Sequence, residues 1–90
     1  MLIPVLAGRF KRDLFLMRKR GKDLGKLKTV MELLAEEKPV PARHRDHPLR
    51  GNWNGYRDLH IEPDWLLIYR IVGDELRLAR TGTHADIFDE

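Results

Sequence analysis

The feature that most constrains this chain is the run from Trp65 to Val72, in which nearly every residue is apolar. The run is far shorter than the roughly 20 residues needed to cross a bilayer. As a strand, it requires a cover on at least one face. Gly73 and Asp74 follow it and fit a two-residue hairpin turn, so Glu75 to Thr83 is expected to return beside it. The sequence therefore predicts a central strand in a small antiparallel sheet.

Two further segments have strand character. Tyr56 to Ile61 carries β-type residues just before the central run, and residues 1 to 6 are apolar. Pro4 restricts that first segment to an edge, because proline cannot donate a ladder hydrogen bond. The stretch from Pro39 to Gly55 is rich in proline and glycine and is predicted to be a loop without regular structure.

Apolar residues at helical spacing predict two helices. Phe10, Leu14 and Met17 recur at intervals of four and three, and Gly21 ends this pattern. A second helix is predicted from an N-cap at Asp23 to Glu37, since Pro39 follows closely. Its apolar positions are Leu24, Leu27, Met31 and Leu34. The expected fold class is α+β, with an N-terminal helical hairpin packed on a small, mainly antiparallel twisted sheet.

Length and composition narrow the class of protein. The 90 residues allow one domain, spanning residues 1–90, and the absence of cysteine excludes disulfides, thiolate metal sites and cysteine nucleophiles. The chain starts with apolar residues and then becomes basic, which reverses the charge order of a secretory signal. We therefore expect a cytoplasmic protein without a membrane span.

The charge is concentrated in one segment. Residues 8–29 contain nine lysines or arginines against two aspartates, whereas the net charge of the whole chain is +3. Such a surface attracts polyanions such as nucleic acid. It would also suit an acidic protein partner, or simply solvate the outer faces of two helices.

Histidines supply the candidate chemistry. His47 precedes Pro48 in the loop, His60 lies near the end of a predicted strand, and His84 directly follows the last strand. Asp64 lies in the turn after His60, so antiparallel pairing should bring these side chains to one edge of the sheet. Histidine both takes and gives a proton near neutrality, which suits paired acid and base catalysis. The fourth histidine, His44, is expected to be structural.

Such a cluster could cleave RNA. A base would remove the 2′-hydroxyl proton, an acid would protonate the departing 5′-oxygen, and cations would stabilise the phosphate. Arg80 shares the parity of Leu76 and Leu78 and so faces inward, where it needs an anion: either a phosphate or an acid such as Asp58. Trp65 is expected either to stack on a base or to pack in the core. Further aromatic residues are available for stacking: Trp53, Tyr56 and Phe88.

A metal site is a weaker interpretation of the same residues. His44, Asp46 and His47 could form a ligand cluster that His60 or His84 completes. No His-Glu-x-x-His helix occurs, and the loop spacing does not favour a rigid chelate, so no metal is expected.

Two runs of sequence carry a resemblance to a known family: HPLRGNWNGYRDLHIEPDWLLIYRI, from His47 to Ile71, and RTGTHADIF, from Arg80 to Phe88. The chain closely resembles the YafQ branch of the RelE/ParE toxin superfamily, whose fold is like that of microbial ribonucleases. The resemblance implies a type II toxin that cleaves messenger RNA on the translating ribosome without a metal or other cofactor.

The resemblance also implies partners and roles. A tightly bound antitoxin would neutralise the toxin, in a hetero-oligomer that binds operator DNA through the antitoxin. His47, His60, Asp64 and His84 would share proton transfer and phosphate stabilisation, with His84 as general acid and Asp64 or His47 nearer the 2′-hydroxyl. Substrate binding would fall to Trp65, Arg80 and Phe88.

Two alternatives remain open. One is a ParE-like toxin that poisons a protein target without cutting RNA, although such a protein has no need for three histidines and Asp64. The other is a basic RNA-binding or DNA-bound module, although the chain shows no helix-turn-helix spacing.

Overall fold

The computed structural model of the chain describes residues 1–89, which form five strands, three helices and two 3₁₀ turns. The strands are β1 (Ile3–Leu6), β2 (His47–Pro48), β3 (Arg57–Glu62), β4 (Trp65–Val72) and β5 (Glu75–Gly82). The helices are α1 (Gly8–Lys19), α2 (Leu24–Ala35) and α3 (His84–Phe88). The 3₁₀ turns are Ala42–His44 and Gly51–Trp53. No helix within residues 1–89 is long and apolar enough to cross a membrane.

The strands form one sheet in the order β1-β5-β4-β3-β2. β4 lies in the middle and pairs antiparallel with both β3 and β5, as its apolar composition predicts. The chain turns from β4 to β5 through Gly73, which takes the positive φ of 60° that a tight hairpin requires. β1 lies at an edge, parallel to β5, as expected for a strand that contains Pro4. The α+β prediction is confirmed.

The two predicted helices form, and both end in the same kind of cap. Gly21 takes a positive φ of 79° after α1, and its N–H and that of Lys22 donate to the carbonyls of Arg18 and Met17. This is a Schellman motif, which satisfies the last carbonyls of a helix. At the start of α2, the Asp23 side chain accepts the N–H of Gly25 at 2.9 Å.

α2 ends at Ala35, two residues earlier than the sequence predicts. Glu37 takes a positive φ of 57° there, and the N–H groups of Glu37 and Lys38 donate to the carbonyls of Leu34 and Leu33. The helix therefore closes with its own Schellman motif before Pro39 can interrupt it.

Both faces of β4 are buried. Trp65, Leu67 and Tyr69 face the helical hairpin, and the residues between them, Leu66 and Ile68, belong to a second cluster on the other face. Ile87 completes the buried part of that second cluster, and side chains of the loop before β3 pack against it. A strand covered on both faces reads as a continuous apolar run.

The prediction that the stretch from Pro39 to Gly55 is a loop without regular structure is only partly right. His47 and Pro48 pair with Asp58 and Arg57 as a two-residue edge strand, and two 3₁₀ turns flank them. A two-residue strand is too short to show the alternation of apolar and polar residues that identifies a strand in sequence, and it forms because the neighbouring strand is already in place. The pairing fixes His47 beside β3.

Candidate active site

The first candidate histidine is fixed by the short strand β2. The Nδ1 of His47 lies 2.6 Å from the carbonyl oxygen of Arg45, and its Nε2 lies 3.8 Å from Oδ2 of Asp58 on β3. The side chain of His47 is 49% exposed, whereas that of Asp58 is 5% exposed. A buried carboxylate therefore lies behind an accessible imidazole.

The three predicted histidines come together in a row. The rings of His47 and His60 are 6.1 Å apart with an interplanar angle of 24°, and those of His60 and His84 are 5.6 Å apart. Phe88 extends the row, with its ring 6.3 Å from that of His84. The row runs from β2 across β3 to α3, so sequence-distant segments meet at one rim of the sheet, as the sequence predicts.

Asp64 holds His84 in place. Its Oδ1 lies 2.5 Å from Nδ1 of His84 and also accepts the backbone N–H of His84 at 2.9 Å. These two hydrogen bonds favour the ionised carboxylate and lower the pKa of Asp64. Asp64 lies in the β3–β4 turn and His84 is the first residue of α3, so the pair joins the two elements.

A cleft of about 530 Å³ opens beside the row and contains two cations that sequence reasoning missed. Arg43 and Arg45 line it together with His60 and His84. Both arginines are exposed, and neither forms an ion pair with another residue in the described part of the chain. The alternation Arg-His-Arg-Asp-His from Arg43 to His47 was the available signal, because it places both arginines within four residues of the candidate His47.

Asp58 is a third residue whose place in the site was missed. Burial raises the pKa of its carboxyl, and the nearby imidazoles of His60, His47 and His84 oppose this shift. Its Oδ1 has no hydrogen-bond partner among residues 1–89, and neither does Nδ1 of His60. The sequence signal was its parity with His60, which puts both side chains on one face of β3.

Arg80 does face inward, but its partner is not Asp58. Its Nε donates to Oδ2 of Asp13 at 2.7 Å and its Nη2 to Oδ1 at 3.3 Å, in a pair whose side chains are both 10% exposed. Oδ2 of Asp13 also accepts the backbone N–H of Thr81 at 3.1 Å. Asp13 lies on the buried stripe of α1 between Phe10 and Met17, and this spacing could have identified it.

Trp65 packs in the core. Its side chain is fully buried, and its Nε1 donates to Oγ1 of Thr81 at 2.9 Å. Of the two roles that the sequence allows, the structure shows packing, and the indole offers no open face to a base. Phe88 is partly exposed beside His84 and is the better placed aromatic residue for stacking.

The residues of the metal interpretation are used elsewhere. Nδ1 of the buried His44 lies 2.7 Å from the carbonyl oxygen of His60, so His44 supports the strand that carries His60. Asp46 accepts hydrogen bonds from Tyr69 at 2.6 Å and from Arg57 at 2.9 Å. Within residues 1–89, no three histidine, aspartate or glutamate side chains are grouped so that they could hold a metal ion.

The arrangement is suited to acid–base chemistry on an anion. Imidazoles at the two ends of the row can act on opposite sides of one reacting centre, and the arginines of the cleft can neutralise developing charge. Asp64 fixes Nδ1 of His84, which leaves Nε2 to exchange protons with a ligand.

Comparison with known proteins assigns this arrangement to a family. The family described as "Bacterial toxin of type II toxin-antitoxin system, YafQ" matches residues 4–89. The mRNA interferase toxin YafQ of Escherichia coli K12 is 52% identical over 83 residues, covering 91% of this chain and 90% of that protein.

Solved structures agree with the sequence match. The crystal structure of YafQ from E. coli BL21(DE3) superimposes with a TM-score of 0.92 at 47% identity, covering 98% of this chain and 99% of the other. A chain from the crystal structure of the E. coli DinJ-YafQ complex gives a TM-score of 0.90 at 48% identity, with the same coverage.

Proposed function

The chain belongs to the YafQ family of bacterial type II toxins, and on that premise we propose that it is an endoribonuclease that cleaves messenger RNA on the translating ribosome. The observation that carries the proposal is the row formed by His47, His60 and His84, whose neighbouring rings lie 6.1 Å and 5.6 Å apart beside an arginine-lined cleft. One ribose-phosphate link can reach all three imidazoles.

The reaction is transfer of a phosphate ester within the RNA. A base removes the proton of the 2′-hydroxyl, and the 2′-oxygen attacks the adjacent phosphorus. The bond from phosphorus to the 5′-oxygen breaks, and an acid protonates that oxygen. The products are a 2′,3′-cyclic phosphate and a 5′-hydroxyl, and the proposed step uses no metal ion.

The geometry supports an assignment of roles. His84 is the general acid, because Asp64 holds its Nδ1 and stabilises the protonated ring. With Asp64 engaged in that way, His47 at the other end of the row is the base for the 2′-hydroxyl. His60, Arg43 and Arg45 stabilise the phosphate, and Phe88 stacks on a base. Arg80 and Trp65 act from behind the site, since both are buried.

The ribosome provides the orientation that this small site lacks. Several basic side chains on the two helices are exposed, and ribosomal RNA is the binding partner that they suit: Arg9, Lys11, Arg12, Arg18, Lys19 and Lys28. Lysine and arginine contacts to phosphates give affinity without base specificity. Holding the message in line for attack on phosphorus can contribute several kcal/mol, so cleavage of free RNA is expected to be slow.

The cellular setting follows from the same proposal. The toxin acts in the cytoplasm and is neutralised by a cognate antitoxin, and the hetero-oligomeric complex binds operator DNA through that antitoxin. The relative in the E. coli DinJ-YafQ complex provides the precedent for such an assembly.

The decisive experiment uses translating ribosomes, a defined message and a chelator selective for transition metals, with Mg²⁺ retained for the ribosome. We expect cleavage products with 2′,3′-cyclic phosphate ends from the wild type and loss of cleavage by His84→Ala. Asp74→Asn is the control, because Asp74 is exposed in the β4–β5 turn, at the other end of these strands from Asp64 and His84. Unchanged cutting by His84→Ala would refute the site, and growth arrest without any cutting would favour a ParE-like toxin.

A further inference from the structure

The helix that carries His84 is too short to hold its own position. α3 has five residues, with His84 at its start and Phe88 at its end. A single helical turn is not stable in isolation, because the conformational entropy lost in forming it exceeds the free energy gained from one hydrogen bond. The position of His84 must therefore be set by contacts from elsewhere in the fold.

Asp86 is the point at which those contacts converge. Its Oδ2 accepts the backbone N–H of Thr83 at 2.9 Å, while its own N–H donates to the Thr83 hydroxyl at 3.1 Å, which completes a capping box. Arg20, at the end of α1, donates to both carboxylate oxygens of Asp86, at 2.6 Å and 3.1 Å. Mainly through the hydrogen bond from Arg20, the pKa of Asp86 is lowered to about 2.

Gly82 leaves free the space that the Asp86 side chain occupies. A Cβ atom at position 82 would lie 2.9 Å from Oδ2 and 3.0 Å from Cβ of Asp86. The first of these contacts is shorter than Cβ atoms make in proteins, so a side chain at position 82 would force Asp86 to shift. Glycine is required because of this close approach.

A second link joins the same two elements. Arg80, paired with Asp13 of α1, also donates from Nη2 to the backbone carbonyl of Asp86 at 3.4 Å. Helix α1 therefore holds the segment from Arg80 to Asp86 through one buried and one solvent-facing ion pair. His84 lies inside that segment, two residues before Asp86.

We propose that Arg20 and Asp86 are positioning residues for His84: their bidentate ion pair ties α3 to the basic helix α1 and so holds the imidazole against Asp64. The inference rests on the proposed nuclease function for its catalytic consequence, but the tether itself is a property of the free protein. Arg20 is then a structural cation in a helix whose other basic side chains face solvent.

The test compares two variants that remove one positive charge each from the same end of α1. Arg20→Gln breaks the pair with Asp86, whereas Arg18→Gln removes a side chain that has no ion pair within residues 1–89. In the free protein, we expect hydrogen exchange at the His84 amide, which donates to Asp64, to accelerate about fivefold or more in Arg20→Gln. It should be unchanged in Arg18→Gln, and amides of β4 should be unchanged in both.

Cleavage on ribosomes provides the second readout. Arg20→Gln should lower kcat about tenfold with little change in KM, because the reacting group is misplaced and binding is retained. Arg20→Lys should recover only part of the loss, since an ammonium cannot form the bidentate pair. Asp86→Asn, which changes the other member of the ion pair, should also accelerate hydrogen exchange at the His84 amide.

The two proposals fail separately. If His84 exchanges in Arg20→Gln as it does in the wild type, or if the loss of activity lies in KM as for a phosphate contact, the tether is refuted. If neither the wild type nor any variant cleaves RNA, but the His84 amide still exchanges faster in Arg20→Gln, the nuclease proposal fails and the tether stands.

Discussion

Oδ1 of Asp64 binds His84 twice, through the imidazole Nδ1 at 2.5 Å and the backbone N–H at 2.9 Å. One oxygen therefore fixes both the start of α3 and the ring that this helix carries. The same two contacts lower the pKa of Asp64, so the carboxylate is ionised at neutral pH and stabilises a protonated His84. This relationship is the geometric basis for the proposed role of His84 as general acid.

Asp64→Asn should slow message cleavage about 100-fold, which is within the usual contribution of acid–base catalysis. The amide keeps the size of the side chain but loses the charge that stabilises the imidazolium. Cleavage rates on translating ribosomes measure the effect. Asp74→Asn, in the exposed β4–β5 turn, is the control for loss of a carboxylate, and equal rates for the two variants would contradict the assigned role.

Trp65→Phe should lower stability while leaving KM for the ribosome-bound message unchanged. The variant loses the hydrogen bond from Nε1 to Thr81, which is worth about 1 kcal/mol, and leaves a small void in the core. Urea unfolding measures the loss. Phe88→Ala should raise KM, and it should also lower stability because Phe88 packs, partly buried, against the second hydrophobic cluster. A raised KM in Trp65→Phe would contradict a purely structural role and would indicate that Trp65 stacks on a base of the message.

Asp13→Asn should destabilise the protein by about 3–5 kcal/mol, because it leaves the charge of Arg80 buried without an opposite charge beside it. Replacing both residues, as Asp13→Leu with Arg80→Met, should recover much of that loss, since apolar side chains can fill the space without a buried charge. Urea unfolding curves of the single and double variants decide the matter. A double variant as unstable as the single one would show that the bond from Thr81 to Asp13 dominates.

Local patterns account for much of this fold. Two helices, the hairpin at Gly73 and the central strand follow from periodicity and turn residues, and the meeting of His60, Asp64 and His84 follows from antiparallel pairing. These features depend on residues that are close in sequence or joined by one turn.

What escaped prediction depends on contacts between distant segments. Asp13 and Arg80 are 67 positions apart in the sequence. In a helix rich in lysine and arginine, an aspartate is expected to be one more solvent-exposed charged residue. The pairing of His47 with Asp58 involves a two-residue strand that exists because β3 is already in place. Arg43 and Arg45 face the cleft because of a 3₁₀ turn, and the proline-rich sequence gives no signal that predicts this turn.

The pair formed by Arg20 and Asp86 should make stability depend on pH at the acidic end. The pKa of Asp86 is lowered from 3.8 to about 2 in the folded protein, so between these values the unfolded chain binds more protons. The contribution of this carboxylate is thus complete by about pH 5, well above the unfolded pKa, and is lost as the pH falls through 2. Asp86→Asn resembles the protonated side chain and lacks this dependence.

We therefore expect the difference in free energy of unfolding between the wild type and Asp86→Asn to be largest at pH 5 and to shrink steadily toward pH 2.5. Urea unfolding at half-unit steps in that range measures it. Asp74→Asn serves as the control, and its difference from the wild type should stay small throughout, because Asp74 is exposed in a turn. A gap for Asp86→Asn that is constant with pH would mean that Arg20 does not hold the ionised carboxylate, and the tether of α3 would lose its electrostatic basis.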